Sequence, residues 1–208
     1  MDENIEKWKG SFGDEYTKRN VYTEDNIEQR TTLFFEILNK IRGKPKSIAE
    51  IGAGAGANLQ ALRRIFGKSV SLIAIEPNQV ARETIIANHD NGVVKTIYGS
   101  AGDIPLGDAS VDLVFTSGVL IHIPPEKLGR ALDEIHRVSS RWIVAIEYFH
   151  PYLAGVIYRE EDGLLWKGDY GSMYLDRFPD LRCISYGFSW KRESGLDNVT
   201  WWLLEKNP

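Results

Sequence analysis

Ser47 to Ala57 reads Ser-Ile-Ala-Glu-Ile-Gly-Ala-Gly-Ala-Gly-Ala, an apolar run that ends in three alternating glycines before helical spacing resumes at Asn58. Strand, tight turn and helix in that order constrain everything around them. Glycines are required where the backbone must approach a ligand closely or take positive φ, so the turn predicts a ligand as well as a fold. The same alternation continues along the chain. Strands are expected at 46–51, 70–75, 93–98, 111–116 and 142–148, and helices at 25–41, 58–66, 79–88 and 126–138. The strands are apolar nearly throughout, which calls for a parallel sheet covered on both faces. Two further runs, 182–190 and 199–205, are joined by the short link Lys-Arg-Glu-Ser-Gly-Leu-Asp-Asn and are expected as an antiparallel hairpin on the sheet edge. The fold class is therefore α/β, a Rossmann-like doubly wound, mostly parallel seven-stranded sheet with a C-terminal antiparallel hairpin.

A chain of 208 residues fits one domain. Its expected parts are an N-terminal lid and helix at 1–42, a ligand-binding core at 43–148, an insertion at 149–180 and the hairpin at 181–208. Cys183 is the one cysteine, so neither an intrachain disulfide nor a cysteine zinc cluster can form. No His-x-x-x-His spacing occurs either, and no metal is expected. A net charge of −4 with scattered Lys and Arg disfavours nucleic acid as a partner. No stretch is apolar enough to span a bilayer, and Met1 to Gly10 has acidic residues where a signal peptide needs a basic end, so a cytoplasmic location away from membranes is expected. The oligomeric state is left open, with a homodimer among the outcomes.

The ligand has two candidate chemistries. Gly52, Gly54 and Ala57 satisfy the dinucleotide fingerprint, and Glu76 lies at the distance at which that fingerprint places its ribose acid. A nicotinamide oxidoreductase is thus a rival reading. Glu50, two residues before the first glycine, separates the two: a carboxylate there attracts an ammonium or sulfonium and repels a pyrophosphate. S-adenosylmethionine carries both cations.

Glu50-Ile-Gly-Ala-Gly-Ala-Gly56 resembles the first motif of class I S-adenosylmethionine-dependent methyltransferases, and Ala74-Ile-Glu76-Pro77 resembles the second. Gly99-Ser-Ala-Gly-Asp-Ile-Pro-Leu, Val111 to Leu120 and Leu132-Asp-Glu-Ile-His-Arg-Val resemble the segments that follow in that family, so the likeness runs from about Arg42 to Tyr148. The resemblance implies S-adenosylmethionine as cofactor, with Glu76 accepting from both ribose hydroxyls and Pro77 beside it. It places Ser117 by the cofactor at the end of the fourth strand. The family often has Asp at the position of Ser100, so the adenine contact falls to Ser100, to the Ala101 backbone or to Asp103. Glu50, Gly52, Gly54 and Gly56 complete the expected cofactor set.

Methyl transfer needs a base only when the acceptor must lose a proton. His122, just after the fourth strand, is the first candidate because its ordinary pKa lies near neutrality. Glu147, at the end of the fifth strand, is the second, with a structural hydrogen bond as its other reading. The Asn-Pro-Pro-Tyr, Asp-Pro-Pro-Tyr and Pro-Cys motifs of base-methylating enzymes are absent. The segment 149–174 combines Tyr158 and Trp166 with Arg159 and Lys167, a mixture suited to a polar ring-shaped acceptor with an anionic group. Trp8, Phe12 and Tyr16 recur at spacing four, which predicts a helical lid whose apolar face covers the cofactor, Tyr16 included. The 8–20 stretch and Tyr158 to Lys167 resemble a small group of methyltransferases associated with pseudaminic acid biosynthesis. That likeness implies a small-molecule acceptor of the nonulosonic sugar type or its nucleotide-activated form. A protein side chain is the alternative acceptor.

Overall fold

The computed structural model describes residues 3–89, 94–158 and 161–207, and the side chains of all of these except Glu3, Glu161 and Asp162. Strand β1 (Ser47–Ile51) is buried from Ile48 onward because it lies between two other strands. It pairs in parallel with β2 (Ser71–Ile75) on one side and with β4 (Val111–Ser117) on the other. β3 (Val94–Ile97) flanks β2, and β5 (Ser139–Glu147) flanks β4, both in parallel register. β9 (Val199–Lys206) then adds antiparallel to β5, and β8 (Leu181–Ser189) antiparallel to β9. The order β3-β2-β1-β4-β5-β9-β8 is the seven-stranded, mostly parallel sheet expected from the sequence. Its direction of winding reverses between β1 and β4, and ligands bind beside the carboxyl ends of strands at such a point.

Helices cover both faces. α3 (Glu24–Leu38) is capped by Thr23, whose hydroxyl accepts from the Asn26 amide at 3.2 Å, and it packs with α4 (Ala57–Phe66) and α5 (Gln79–Asn88) on one face. Phe34 and Phe115 meet edge to face there, 5.1 Å between centroids. α6 (Pro125–Val138) buries Leu128, Leu132 and Ile135 on the opposite face. No helix among the described residues is long and apolar enough to cross a membrane.

The sequence reading needs three adjustments. The segment after β5, expected as an insertion at the acceptor site with no strands assigned to it, holds a separate two-stranded sheet, β6 (Ala154–Tyr158) with β7 (Glu161–Lys167), followed by α7 (Tyr170–Arg177). Its many polar residues mask the adjacent pair Leu164 and Leu165, both of which are buried. The link between the last two strands contains a one-turn helix, α8 (Lys191–Ser194). The N-terminal helix is broken at Gly10 into α1 (Glu3–Lys9) and α2 (Ser11–Arg19).

Candidate active site

The glycine turn between β1 and α4 is built so that nothing fills the space above the strand ends. Gly52 has φ +72°, and a Cβ there would lie 2.6 Å from Val119 Cγ2. Gly54 and Gly56 also take positive φ, which L side chains rarely adopt. The turn is held by the second acid: Gly54 N–H donates to Glu76 Oε2 at 2.8 Å, and Asn78 N–H donates to Glu76 Oε1 at 2.8 Å. Each Glu76 oxygen keeps a lone pair for a further donor. Burial raises the Glu76 pKa, against the pull of those two amides.

Glu50 lies beneath the same turn, buried to 2% exposure. Its Oε1 accepts from Asn58 Nδ2 at 2.6 Å, while its Oε2 is buried with no hydrogen-bond partner. Burial, with Glu76 adding repulsion, pushes the Glu50 pKa up to about 8 against the pull of Asn58 and Arg30. Arg30 Nη1 donates to Asn58 Oδ1 at 2.6 Å, so Arg30, Asn58 and Glu50 form one hydrogen-bonded chain. A buried carboxylate with one bare oxygen is an expensive arrangement unless a cation completes it.

These groups line a cavity of about 580 Å³ at the carboxyl ends of β1, β2 and β4. Glu50, Gly52, Gly54, Glu76, Pro77, Ser100, Ala101 and Ser117 are all part of its wall, with Asn58, Asn78 and Asp103 among the others. Ser100 and Asp103 exchange backbone hydrogen bonds of 3.1 Å, closing a tight loop that carries Ala101. The cavity wall therefore includes all three groups proposed for an adenine edge.

α1 and α2 cover this cavity, and Trp8, Tyr16 and Thr17 line it from above. Although Gly10 breaks the helix, Trp8 still meets Phe12 at 5.1 Å and Tyr16 at 5.3 Å, both edge to face. Two latches hold the cover. Asn4 Nδ2 donates to the His122 carbonyl at 2.9 Å, and Asn78 Nδ2 donates to Asp14 Oδ1 at 2.7 Å and to the Trp8 carbonyl at 3.2 Å. Because Asn78 also donates its N–H to Glu76, the cover and the second acid share one anchor. Hydrogen exchange over residues 5–20 is accordingly expected to slow when S-adenosylhomocysteine is added, and equal protection without ligand would make the cover a fixed part of the wall.

His122 ends the 3-10 turn Leu120–His122 after β4 and lines the cavity. Its Nδ1 lies 2.7 Å from the Leu164 carbonyl of β7. A carbonyl can only accept, so Nδ1 carries the proton and Nε2 holds the lone pair in the neutral ring. Burial lowers the His122 pKa below its ordinary 6.5, which keeps that neutral form at pH 7. The ring is flanked by Trp8 at 4.8 Å and Tyr158 at 5.5 Å.

Several expected site residues lie elsewhere. Gly56 does not line the cavity; a Cβ there would lie 2.9 Å from His89 Nε2, so the glycine lets α4 pack on α5. Glu147 is fully buried away from the cavity, and its carboxylate accepts from the amides of Val119, Leu120 and Ile121 at 3.1–3.4 Å. It holds the turn that carries His122, and burial pushes its pKa up to about 7. That is the structural hydrogen bond, not the base. Trp166 and Lys167 are not part of the cavity wall; Lys167 Nζ lies over the Tyr148 ring, 5.5 Å from its centroid. Tyr158 is not part of the cavity wall and packs against the His122 ring at 5.5 Å, and Arg159 lies outside the described residues. The β6–β7 hairpin backs His122 instead of lining the cavity.

Other cavity residues carried weaker sequence signals. Asn78 reads as a helix cap, and its Oδ1 does accept from Ala81 N–H at 2.9 Å, but its grip on the α1–α2 junction joins positions seventy apart. Asn58 is a polar residue inside the first turn of an otherwise apolar helix start, a signal that was available. Arg30 sits on the charged face of α3, where nothing local distinguishes it from a solvated arginine.

Residues 49–141 match the family described as "Methyltransferase domain". An O-methyltransferase of Pyrenophora dematioidea is 30% identical over 113 residues, 53% of this chain and 41% of that protein, so the chain covers well under two thirds of that relative's length. Among solved structures, the 1,6-didemethyltoxoflavin-N1-methyltransferase of Burkholderia thailandensis, with bound 1,6-didemethyltoxoflavin and S-adenosylhomocysteine, superposes with a TM-score of 0.71 at 15% identity. That match covers 98% of this chain and 87% of the other. The magnesium protoporphyrin IX methyltransferase of Synechocystis PCC 6803 with bound S-adenosylmethionine superposes at 0.72 and 7% identity, covering 100% and 98% of the two chains. At such identities the structural likeness establishes the fold: Rossmann-like, of the kind these methyltransferases share.

Proposed function

We propose that this chain is an S-adenosylmethionine-dependent methyltransferase acting on the hydroxyl of a small polar acceptor. The observation that carries the cofactor reading is Glu50: a buried carboxylate under the glycine turn, with one oxygen lacking any partner, fits the cofactor's ammonium. Arg30, at the other end of the Asn58 bridge, is placed to take the adjoining carboxylate. Glu76 offers a lone pair from each oxygen to the ribose hydroxyls, and the Ser100–Asp103 loop meets the adenine. NAD would put its pyrophosphate against Glu50, which disfavours the nicotinamide reading.

The bound cofactor supplies an activated methyl on a sulfonium, already joined to a good leaving group. The chain's part is placement, exclusion of water and removal of one proton. Trp8 and Tyr16 close the cavity from above. His122 Nε2 takes the acceptor's hydroxyl proton while Leu164 holds the Nδ1–H side of the ring, and Glu147 fixes the turn beneath it. The O-methyltransferase relatives favour oxygen as the methylated atom. A nonulosonic sugar is a narrower reading that rests on the motifs at 8–20 and 158–167. Trp166 and Lys167, which that reading would use, stand off the cavity, so a sugar would have to meet the cover and the His122 turn. A protein side chain remains the alternative acceptor.

Calorimetry tests the cofactor directly. S-adenosylhomocysteine is expected to bind in the micromolar range, roughly −7 to −8 kcal/mol, and NAD not at all. Because Glu50 is largely protonated below its raised pKa and the ligand's ammonium needs the ionised form, affinity rises with pH up to about 8. The same shift makes the ligand-free fold bind a proton that the unfolded chain has released above 4.5, so its own stability falls as pH rises from 4.5 toward 8. An affinity independent of pH between 6 and 8, or selective NAD binding, would overturn the assignment of Glu50.

A further inference from the structure

β8 forms one edge of the sheet, and among the described residues no strand pairs with its outer side. Exposed edges invite pairing with another chain, and proteins that stay monomeric blunt them with short strands, charge or proline. The opposite edge obeys that rule: β3 has four residues, one of them Lys95. β8 is longer, nine residues, and its one charge is Arg182 near its start; from Cys183 to Trp190 the chain carries neither charge nor proline.

The side chains repeat the message. Tyr186, Phe188 and Trp190 recur at every second position and are 73%, 61% and 50% exposed. Between them Gly187 lies against the Trp201 ring, and Ser189 is buried, so the aromatics share the other face. Tyr186 stands opposite Trp202, whose ring is 6.4 Å from the half-exposed Phe149, and the apolar surface continues to that residue. None of these residues lines the cofactor cavity. The four exposed rings hold on the order of 500 Å² of surface. A standard interface buries about 800 Å² per partner, and the β8 backbone and its flanks are still to be added.

We propose that β8 is the interface of a symmetric homodimer, pairing antiparallel with β8 of a second copy so that the two sheets join edge to edge. Two identical strands laid antiparallel are self-complementary about a twofold axis. With that axis perpendicular to the sheet, both rows of aromatics emerge on the same face and lie side by side. The charged residues that flank the segment lie outside its uncharged stretch: Arg182 shares Glu205 with Arg141, and Lys191 pairs with Asp197 at 3.1 Å. The bulge between Cys183 and Ser185 confines regular pairing to Ser185–Ser189, where the aromatics are.

Sedimentation velocity on the full chain at roughly 1 to 50 μM tests this. The expected species has twice the 23.6 kDa chain mass. A Tyr186→Lys, Phe188→Lys variant sets like charges against each other across the twofold axis, and it is expected to raise the dimer dissociation constant by at least about 100-fold. Both side chains are exposed in the single copy, so the variant keeps its circular dichroism and binds S-adenosylhomocysteine as before. A monomer throughout the range, a larger assembly, or a folded variant that stays dimeric would each overturn the proposal.

Discussion

Replacing Glu76 with alanine is expected to weaken S-adenosylhomocysteine binding about 10- to 150-fold, a loss of about 1.5 to 3 kcal/mol. The carboxylate has two tasks. It would receive the ribose hydroxyls, and it already receives the Gly54 and Asn78 amides, which hold the glycine turn and the anchor of the cover. Alanine removes the first set of bonds and leaves the second pair of donors unsatisfied beside a widened cavity. Glu76→Gln separates the tasks. Its amide oxygen retains one acceptor while its NH2 faces a donor, so its affinity should fall between wild type and alanine. Calorimetry on both variants reads the series directly, and unchanged affinity in Glu76→Ala would move the ribose contact to another residue.

The central half of the molecule was legible because its physics is local. The glycine turn, Glu50 and Glu76 fall at strand ends that periodicity alone locates, and the cavity includes both acids. What the sequence misplaced depended on contacts across long separations. Glu147 reads as a catalytic acid until its carboxylate is seen holding three amides of the turn after β4. Gly56 belongs to the right motif but serves helix packing. Trp166 and Lys167 lie in the expected segment, yet that segment folds back as a hairpin behind His122, a pairing that its mixed polar and aromatic pattern did not declare.

His122→Ala is expected to lower kcat by roughly 100-fold or more while S-adenosylhomocysteine affinity stays within a few-fold of wild type. The ring is placed for this: Leu164 fixes the tautomer, Trp8 and Tyr158 fix the plane, and burial keeps it neutral. The wild-type kcat should therefore hold constant through neutral pH and decline on an acid limb that begins below 6.5, as the ring gains its proton. Alanine should abolish that limb together with the rate. A kcat that barely moves, or an acid limb that survives in the variant, would leave placement alone as the source of catalysis.

The cover also dictates an order of assembly. Asn4 closes on His122 across 118 positions, and Asn78 grips Trp8 across 70. Contacts so far apart in sequence form late, because the loop they close must first be ordered by the elements between. As the chain emerges during synthesis, residues 3–19 precede every strand of the sheet. Their docking then comes in two steps: α2 gains its surface on α5 and the Asn78 anchor once residues 78–88 are folded, and α1 gains its Asn4 latch only when the turn that ends at His122 has formed. A nascent chain stopped before residue 122 lacks that second latch and the His122 ring that packs on Trp8.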